Sequence, residues 1–222
     1  MLQLLSYFID AKAPMYGGKS GFVSKSVTSI SKGDTANTSY LQLPNHLGTH
    51  VDFPRHFFNK GQTLQDYPLD FWFFEGKKVE ILEIENNNDQ LIINPENIKT
   101  KKLNKDAEII LLKTDFGQYR NKEKYWNSNP GISIKLVAWM KENYKKIGVF
   151  GIDTISVSSF QHRELGRKVH KKLLDPINPI LIIEDMDLSK ISQASIFNYL
   201  WISPLMLKDI DGCPCTIVAD VK

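Results

Sequence analysis

Two short runs of aliphatic residues, Ile109-Ile-Leu-Leu112 and Ile180-Leu-Ile-Ile183, set the strongest limit on how this chain can fold. Neither alternates polar with apolar residues, and each is short for a helix, so both read as strands buried on both faces. Further strand character covers residues 21–30, 79–84, 108–112, 149–152, 179–183 and 215–219. Only 79–84 (Val-Glu-Ile-Leu-Glu-Ile) alternates as a half-buried strand does. The expected sheet is mixed.

Leu136, Val137 and Met140 recur at helical spacing and predict a helix over 133–144, which Gly148 ends before a strand at 149. Residues 108–153 thus read as a βαβ-like piece. Shorter helices are expected over 164–174 and 189–199. Asn, Asp, Gly and Pro mark turns at 86–89, 125–131 and 209–214. No stretch reads as an interdomain linker and no repeat is found, so 1–222 is expected to form one domain of class α/β.

Composition narrows the function classes. The 28 basic residues exceed the 25 acidic ones by only three and are scattered, apart from Lys99-Thr-Lys-Lys102 and Lys168-Val-His-Lys-Lys172. These read as solvated surface rather than a nucleic-acid face. Residues 1–10 lack a basic n-region and a cleavage site, and no stretch approaches a membrane helix, so a soluble cytoplasmic protein without membrane partners is expected. Cys213 and Cys215, one residue apart, make a poor internal disulfide, and no other cysteine is available.

Chemistry concentrates in His46-Leu-Gly-Thr-His50-Val-Asp52-Phe-Pro-Arg-His56, which holds three of the five histidines. In an extended segment His50 and Asp52 leave the same face about 6 to 7 Å apart at Cα, close enough to converge on one cation. His46 cannot join them along a straight strand, since four residues span about 13 Å. Gly48 allows the bend that would bring it back. Pro54 forbids a continued strand or helix interior, so the chain is expected to turn again before His56, which would overhang the site. Imidazole and carboxylate donors suit Zn²⁺ or another borderline divalent ion such as Mn²⁺. Two histidines and one carboxylate leave coordination open for water, which points to hydrolysis.

The segment from Asn45 to Phe57 resembles the His-x-Gly-Thr-His-x-Asp-x-Pro-x-His-Phe signature of the cyclase family of metal-dependent hydrolases, which includes bacterial kynurenine formamidases and isatin hydrolases. Gly151-Ile-Asp-Thr-Ile-Ser156, His170-Lys-Lys-Leu-Leu174, Ile182-Ile-Glu184, Pro14-Met-Tyr-Gly-Gly18 and the Asp-Gly-Cys-Pro run extend the likeness over most of the chain. The resemblance implies a swivelling β/β/α fold with a mixed, partly barrel-like sheet, and a homodimer or larger homo-oligomer. It implies that His46, His50 and Asp52 hold one ion, and that Asp52, His170 and Glu184 contribute to a second. It also assigns His56 as general acid and base, a role that imidazole suits near neutral pH.

The expected activity is cleavage of a carbon–nitrogen bond in a small linear or cyclic amide, with ion-bound water as nucleophile. Tyr16, Phe53, Phe57, Phe58, Phe71, Trp72 and Phe73 are candidates to line a pocket for a flat substrate. Asp153 is a candidate to orient a metal-bound histidine, and His162 fits no ligand position. The competing reading is a non-catalytic, metal-dependent small-ligand binding protein of the same fold.

Overall fold

The computed structural model describes residues 1–18, 21–85, 91–99 and 103–222, so the turn expected at 86–89 and most of the 99–102 basic group lie outside the described residues. The strands are β1 (Leu2–Leu4), β2 (Val23–Thr28), β3 (Thr38–Gln42), β4 (His50–Asp52), β5 (Phe73–Glu75), β6 (Val79–Glu83), β7 (Ile92–Ile93), β8 (Ile109–Lys113), β9 (Gly131–Ile132), β10 (Val149–Ile152), β11 (Leu181–Glu184), β12 (Phe197–Pro204) and β13 (Gly212–Val221). The helices are α1 (Lys124–Asn127), α2 (Ile134–Asn143) and α3 (Arg163–Leu173).

Nine strands form one mixed sheet in the order β5-β12-β13-β4-β11-β10-β8-β6, with β1 also on β13. The sheet is barrel-shaped and nearly closed, as the α/β, partly barrel-like fold class requires. Its parallel part is β6, β8, β10 and β11. The two aliphatic runs lie here, and Ile109 to Leu112 and Ile180 to Ile183 are all fully buried. The βαβ piece is present: β8 pairs in parallel with β10, and α2 lies between them in the chain. Ser133 caps α2 by accepting a hydrogen bond from the Leu136 amide at 3.0 Å.

The helix expected over 189–199 does not form. Ser195 Oγ accepts from the Ser192 amide, and Ser189 bonds to the Asp187 carboxylate, side-chain bonds that compete with helical ones. From Phe197 onward the chain pairs instead with β13 and β5. The turn expected at 125–131 overlaps the one-turn helix α1 at its start. Cys213 and Cys215 are unpaired, buried residues of β13 that pack in the core as small hydrophobes.

Among the described residues no helix is long and apolar enough to cross a membrane. Replacing Ser133 by Ala should remove the α2 cap and cost about 1 kcal/mol. Thermal unfolding should register this as a drop of about 2–4 °C, and an unchanged Tm would show that the cap contributes nothing.

Candidate active site

Three residues of β4 are hydrogen-bonded on both edges, with His50 opposite Glu184 and Asp52 opposite Ile182 on β11, and with His50 opposite Pro214 and Asp52 opposite Gly212 on β13. Directly opposed residues of an antiparallel pair share a face. His50, Asp52 and Glu184 therefore project to one side, while Val51, Ile183 and Cys213 project to the other, where all three are fully buried. His170 reaches the same cluster from α3.

Two glycines bring His46 into this group. Gly48 has φ +67°, a left-handed conformation that bends the chain back before β4. Gly212 sits opposite Asp52, and a Cβ there would lie 2.5 Å from His46 Cε1. The imidazole occupies the space that a side chain at 212 would fill. Pro54 then opens a 3-10 turn, Pro54–His56, which sets His56 above the cluster with its ring centroid 4.2 Å from that of His46.

Backbone acceptors fix two of the ring tautomers. His50 Nδ1 donates to Gly48 O at 2.8 Å, and His170 Nδ1 donates to Gly166 O at 2.9 Å with Ser158 Oγ 3.2 Å away. Each ring therefore turns Nε2 toward the carboxylates. His50 Nε2 lies 3.5 Å from Asp52 Oδ1 and 3.6 Å from Glu184 Oε2. His170 Nε2 lies 3.7 Å from Asp52 Oδ2 and 3.3 Å from Glu184 Oε1. Glu184 is held by the Ser156 hydroxyl and the Val157 amide, both donating to Oε1 at 2.9 and 2.8 Å.

These distances test whether the residues fit a divalent ion. Donor atoms about 2.1 Å from a tetrahedral ion lie about 3.4 Å from one another, close to the four separations above. With Nδ1 of each ring bonded to a backbone carbonyl, Nε2 of His50 and of His170 is the nitrogen free to serve as a ligand. His50, Asp52 and Glu184 are buried and have ligand atoms within 4.8 Å of one another, as do those of His46, Asp52 and His56. The donor set fits.

His46 is engaged differently. Its Nδ1 lies 2.7 Å from Asp52 Oδ1 and its Nε2 2.9 Å from Asp211 Oδ2, so both ring nitrogens face carboxylates here. Burial alone would lower its pKa, but the Asp52 and Asp211 carboxylates raise it to about 9. Burial would raise Asp52, yet the hydrogen bond and charge of His46 hold it well below the ordinary aspartate range. For His170, burial opposes the charged form and the Glu184 carboxylate outweighs it, raising the pKa.

Asp211, which sequence reasoning passed over within a turn signal, proves to be part of this cluster. Its Oδ2 also accepts from His56 Nδ1 at 2.9 Å, while Asn45 Nδ2 donates to Oδ1 at 2.7 Å. Burial pushes its carboxyl up, but the bonds from His46 and His56 more than offset this and leave it low. The available signal was an acid inside the Asp-Gly-Cys-Pro run. Two arginines of α3, Arg163 and Arg167, were also missed.

Asp153, His162 and the aromatic candidates take different places. Asp153 backs no histidine: its carboxylate accepts from the Thr114 amide and hydroxyl and the Asp115 amide, and burial raises its pKa to about 6. His162 is exposed at the end of a 3-10 turn and does not line the cavity over the cluster. Of the seven aromatic candidates, Tyr16 and Phe57 line the cavity over the cluster, whose volume is about 450 Å³. Phe53 and Trp72 belong to the hydrophobic core. A larger apolar cavity beside Trp72, about 560 Å³, is lined by no histidine or carboxylate.

The Cyclase family model matches residues 4–159. The chain is 27% identical over 224 residues to a kynurenine formamidase of Bacillus anthracis, covering 96% of this chain and 97% of that one. It is 24% identical over 220 residues to the kynurenine formamidase of Bacillus cereus, with the same coverage. Its structure resembles isatin hydrolase A from Labrenzia aggregata, with a TM-score of 0.78, 18% identity and coverage of 99% of this chain and 93% of that one. A structure described as a potential metal-dependent hydrolase with cyclase activity gives a TM-score of 0.75 at 20% identity, covering 99% and 96%.

Gly212→Ala should force a methyl group against the His46 ring and destabilise the fold by about 1–3 kcal/mol, the usual range for overpacking. Urea unfolding measures it; a wild-type midpoint would show that the ring has room to move. With the family model matching residues 4–159, some two thirds of its length, the chain belongs to the cyclase family.

Proposed function

We propose that the protein is a metal-dependent hydrolase that cleaves the carbon–nitrogen bond of a small amide, linear or cyclic. The observation that carries this is the convergence of His50, Asp52, His170 and Glu184 at ligand-like spacings on the floor of a cavity with His56 at its mouth. The similarity to kynurenine formamidases over nearly the whole chain supports it. Zinc, or manganese, suits the nitrogen and oxygen donors. His46, His50 and Asp52 would hold one ion, and Asp52, His170 and Glu184 a second; Asp52 Oδ1 faces His46 and His50, and its Oδ2 faces His170.

When bound, a divalent ion lowers the pKa of its water toward about 7 and polarises a carbonyl. The residues of the chain supply the rest. His56 stands at the cavity mouth with about a third of its side chain exposed, 30%. Asp211 accepts from its Nδ1, which fixes the ring and leaves Nε2 without a hydrogen-bond partner among the described residues. That nitrogen can take a proton from the attacking water and return it to the departing nitrogen as the carbon–oxygen bond forms and the carbon–nitrogen bond breaks. The Asp211 carboxylate stabilises the imidazolium that forms between these transfers.

Two outcomes are expected. His56→Ala should lower kcat on aryl formamides about 10²–10⁴-fold. Its metal content and Tm should match wild type; full turnover would remove His56 from the chemistry, and ligand binding without turnover by the wild type would favour a binding protein. After dialysis against chelator, Zn²⁺ or Mn²⁺ at 100 times its dissociation constant should stabilise the wild type by about 2.7 kcal/mol. Glu184→Gln should lose most of that gain, and stabilisation equal in variant and wild type would place the ion elsewhere.

A further inference from the structure

We infer that Arg163 and Arg167 form an anion-recognition edge of the cavity, and that the amide cleaved here carries a carboxylate. This rests on the hydrolase reading for the amide, while the anion site stands on its own residues. Both arginines line the cavity that contains His50, Asp52, His170 and Glu184.

Their place on α3 explains how they get there. Arg163 and Arg167 precede His170 by seven and three residues, so the three share one helix face. At 1.5 Å per residue, their Cα atoms stand about 10 and 4.5 Å from that of His170 along the axis. The turn of helix that points the imidazole inward points the guanidiniums to the rim above it. Lys168, Lys171 and Lys172 of the same helix do not line the cavity.

Arg163 is held in position. Its guanidinium carbon lies 3.9 Å from the centroid of the Phe160 ring, which in turn meets Tyr16 edge-on at 5.4 Å. The Tyr16 hydroxyl donates to Ser159 O at 3.3 Å. Both arginines act on that phenol, whose pKa burial raises and their charge lowers.

No carboxylate among the described residues forms an ion pair with either arginine. Among the described residues the ion pair made by an arginine is Arg120–Asp185. Like charges four apart on a helix cost stability, so two arginines four apart on one cavity wall without an acidic partner call for a ligand. Their planar forks match a carboxylate bidentately, which an ammonium cannot do. Asp52 and Glu184 on the cavity floor would repel such a group, so a substrate's anionic end is steered to the rim and its neutral amide to the histidines.

The test uses metal-loaded protein and two matched pairs of probes. For binding, calorimetry compares 4-acetylbenzoate, in which a ketone replaces the amide, with its neutral counterpart carrying a hydroxymethyl group. For turnover, kcat/KM compares 4-formamidobenzoate with 4-formamidobenzyl alcohol. The wild type should favour the anion by about tenfold in both, and the Arg163→Gln/Arg167→Gln double variant should bring both ratios within about twofold of unity. Lys168→Gln should keep the wild-type ratios. Equal handling of acid and neutral compound by the wild type overturns the proposal, and so does a preference that survives in the double variant, since the carboxylate would then be held by the ion. Arginine-dependent binding of the acid with no cleavage of either formamide would overturn the hydrolase reading and leave the anion site standing.

Discussion

A three-residue strand hydrogen-bonded on both edges holds this site together. Because β4 lies between β11 and β13, the alternation of His50, Val51 and Asp52 is locked in register, and a slip by one residue would turn both polar groups into the apolar side. The same pairing brings Glu184 opposite His50, and it sets Gly212 opposite Asp52 where His46 needs room. Val51, Ile183 and Cys213 fill the other face. The apolar packing beneath the sheet and the donor cluster above it are two consequences of one register.

The next turn of chain is secured by a second buried network. Asp185, at φ +54° directly after Glu184, accepts two bonds from Arg120 Nε and Nη2 at 2.8 and 2.7 Å and one from the Tyr125 hydroxyl at 2.6 Å. The Thr49 hydroxyl donates to its carbonyl and accepts from the Tyr7 amide. The His50–Glu184 end of the β4–β11 contact is thereby tied down. A buried ion pair of this kind adds little net stability, but removing one partner would strand a charge, so it fixes geometry more than it strengthens the fold.

Around the cluster the division of labour follows depth. Carboxylates at the floor are buried and paired with histidines whose outer nitrogens are committed to backbone carbonyls. Asp211 stands higher and serves two imidazoles at once. The guanidiniums of α3 occupy the rim. Negative charge below and positive charge above give the cavity a polarity that a neutral amide alone would not require.

The sequence by itself determined the local parts. His50 and Asp52 share a face because side chains alternate along any strand, Gly48 turns because it alone tolerates the left-handed region cheaply, and Pro54 ends the strand because it lacks an N–H. The buried strands at 109–112 and 180–183 were legible from composition, because aliphatic runs of that length have nowhere else to go. The tertiary structure alone decided what meets across the chain: Asp211 beside His56 and His46, Ser156 under Glu184, and Arg163 and Arg167 over His170. It also turned 197–204 into a strand, because pairing with β13 outweighed a weak helical pattern. Periodicity reports which way a residue faces within its own element. Which residue stands opposite it depends on register and packing between segments more than a hundred residues apart, and that information is carried by no single stretch.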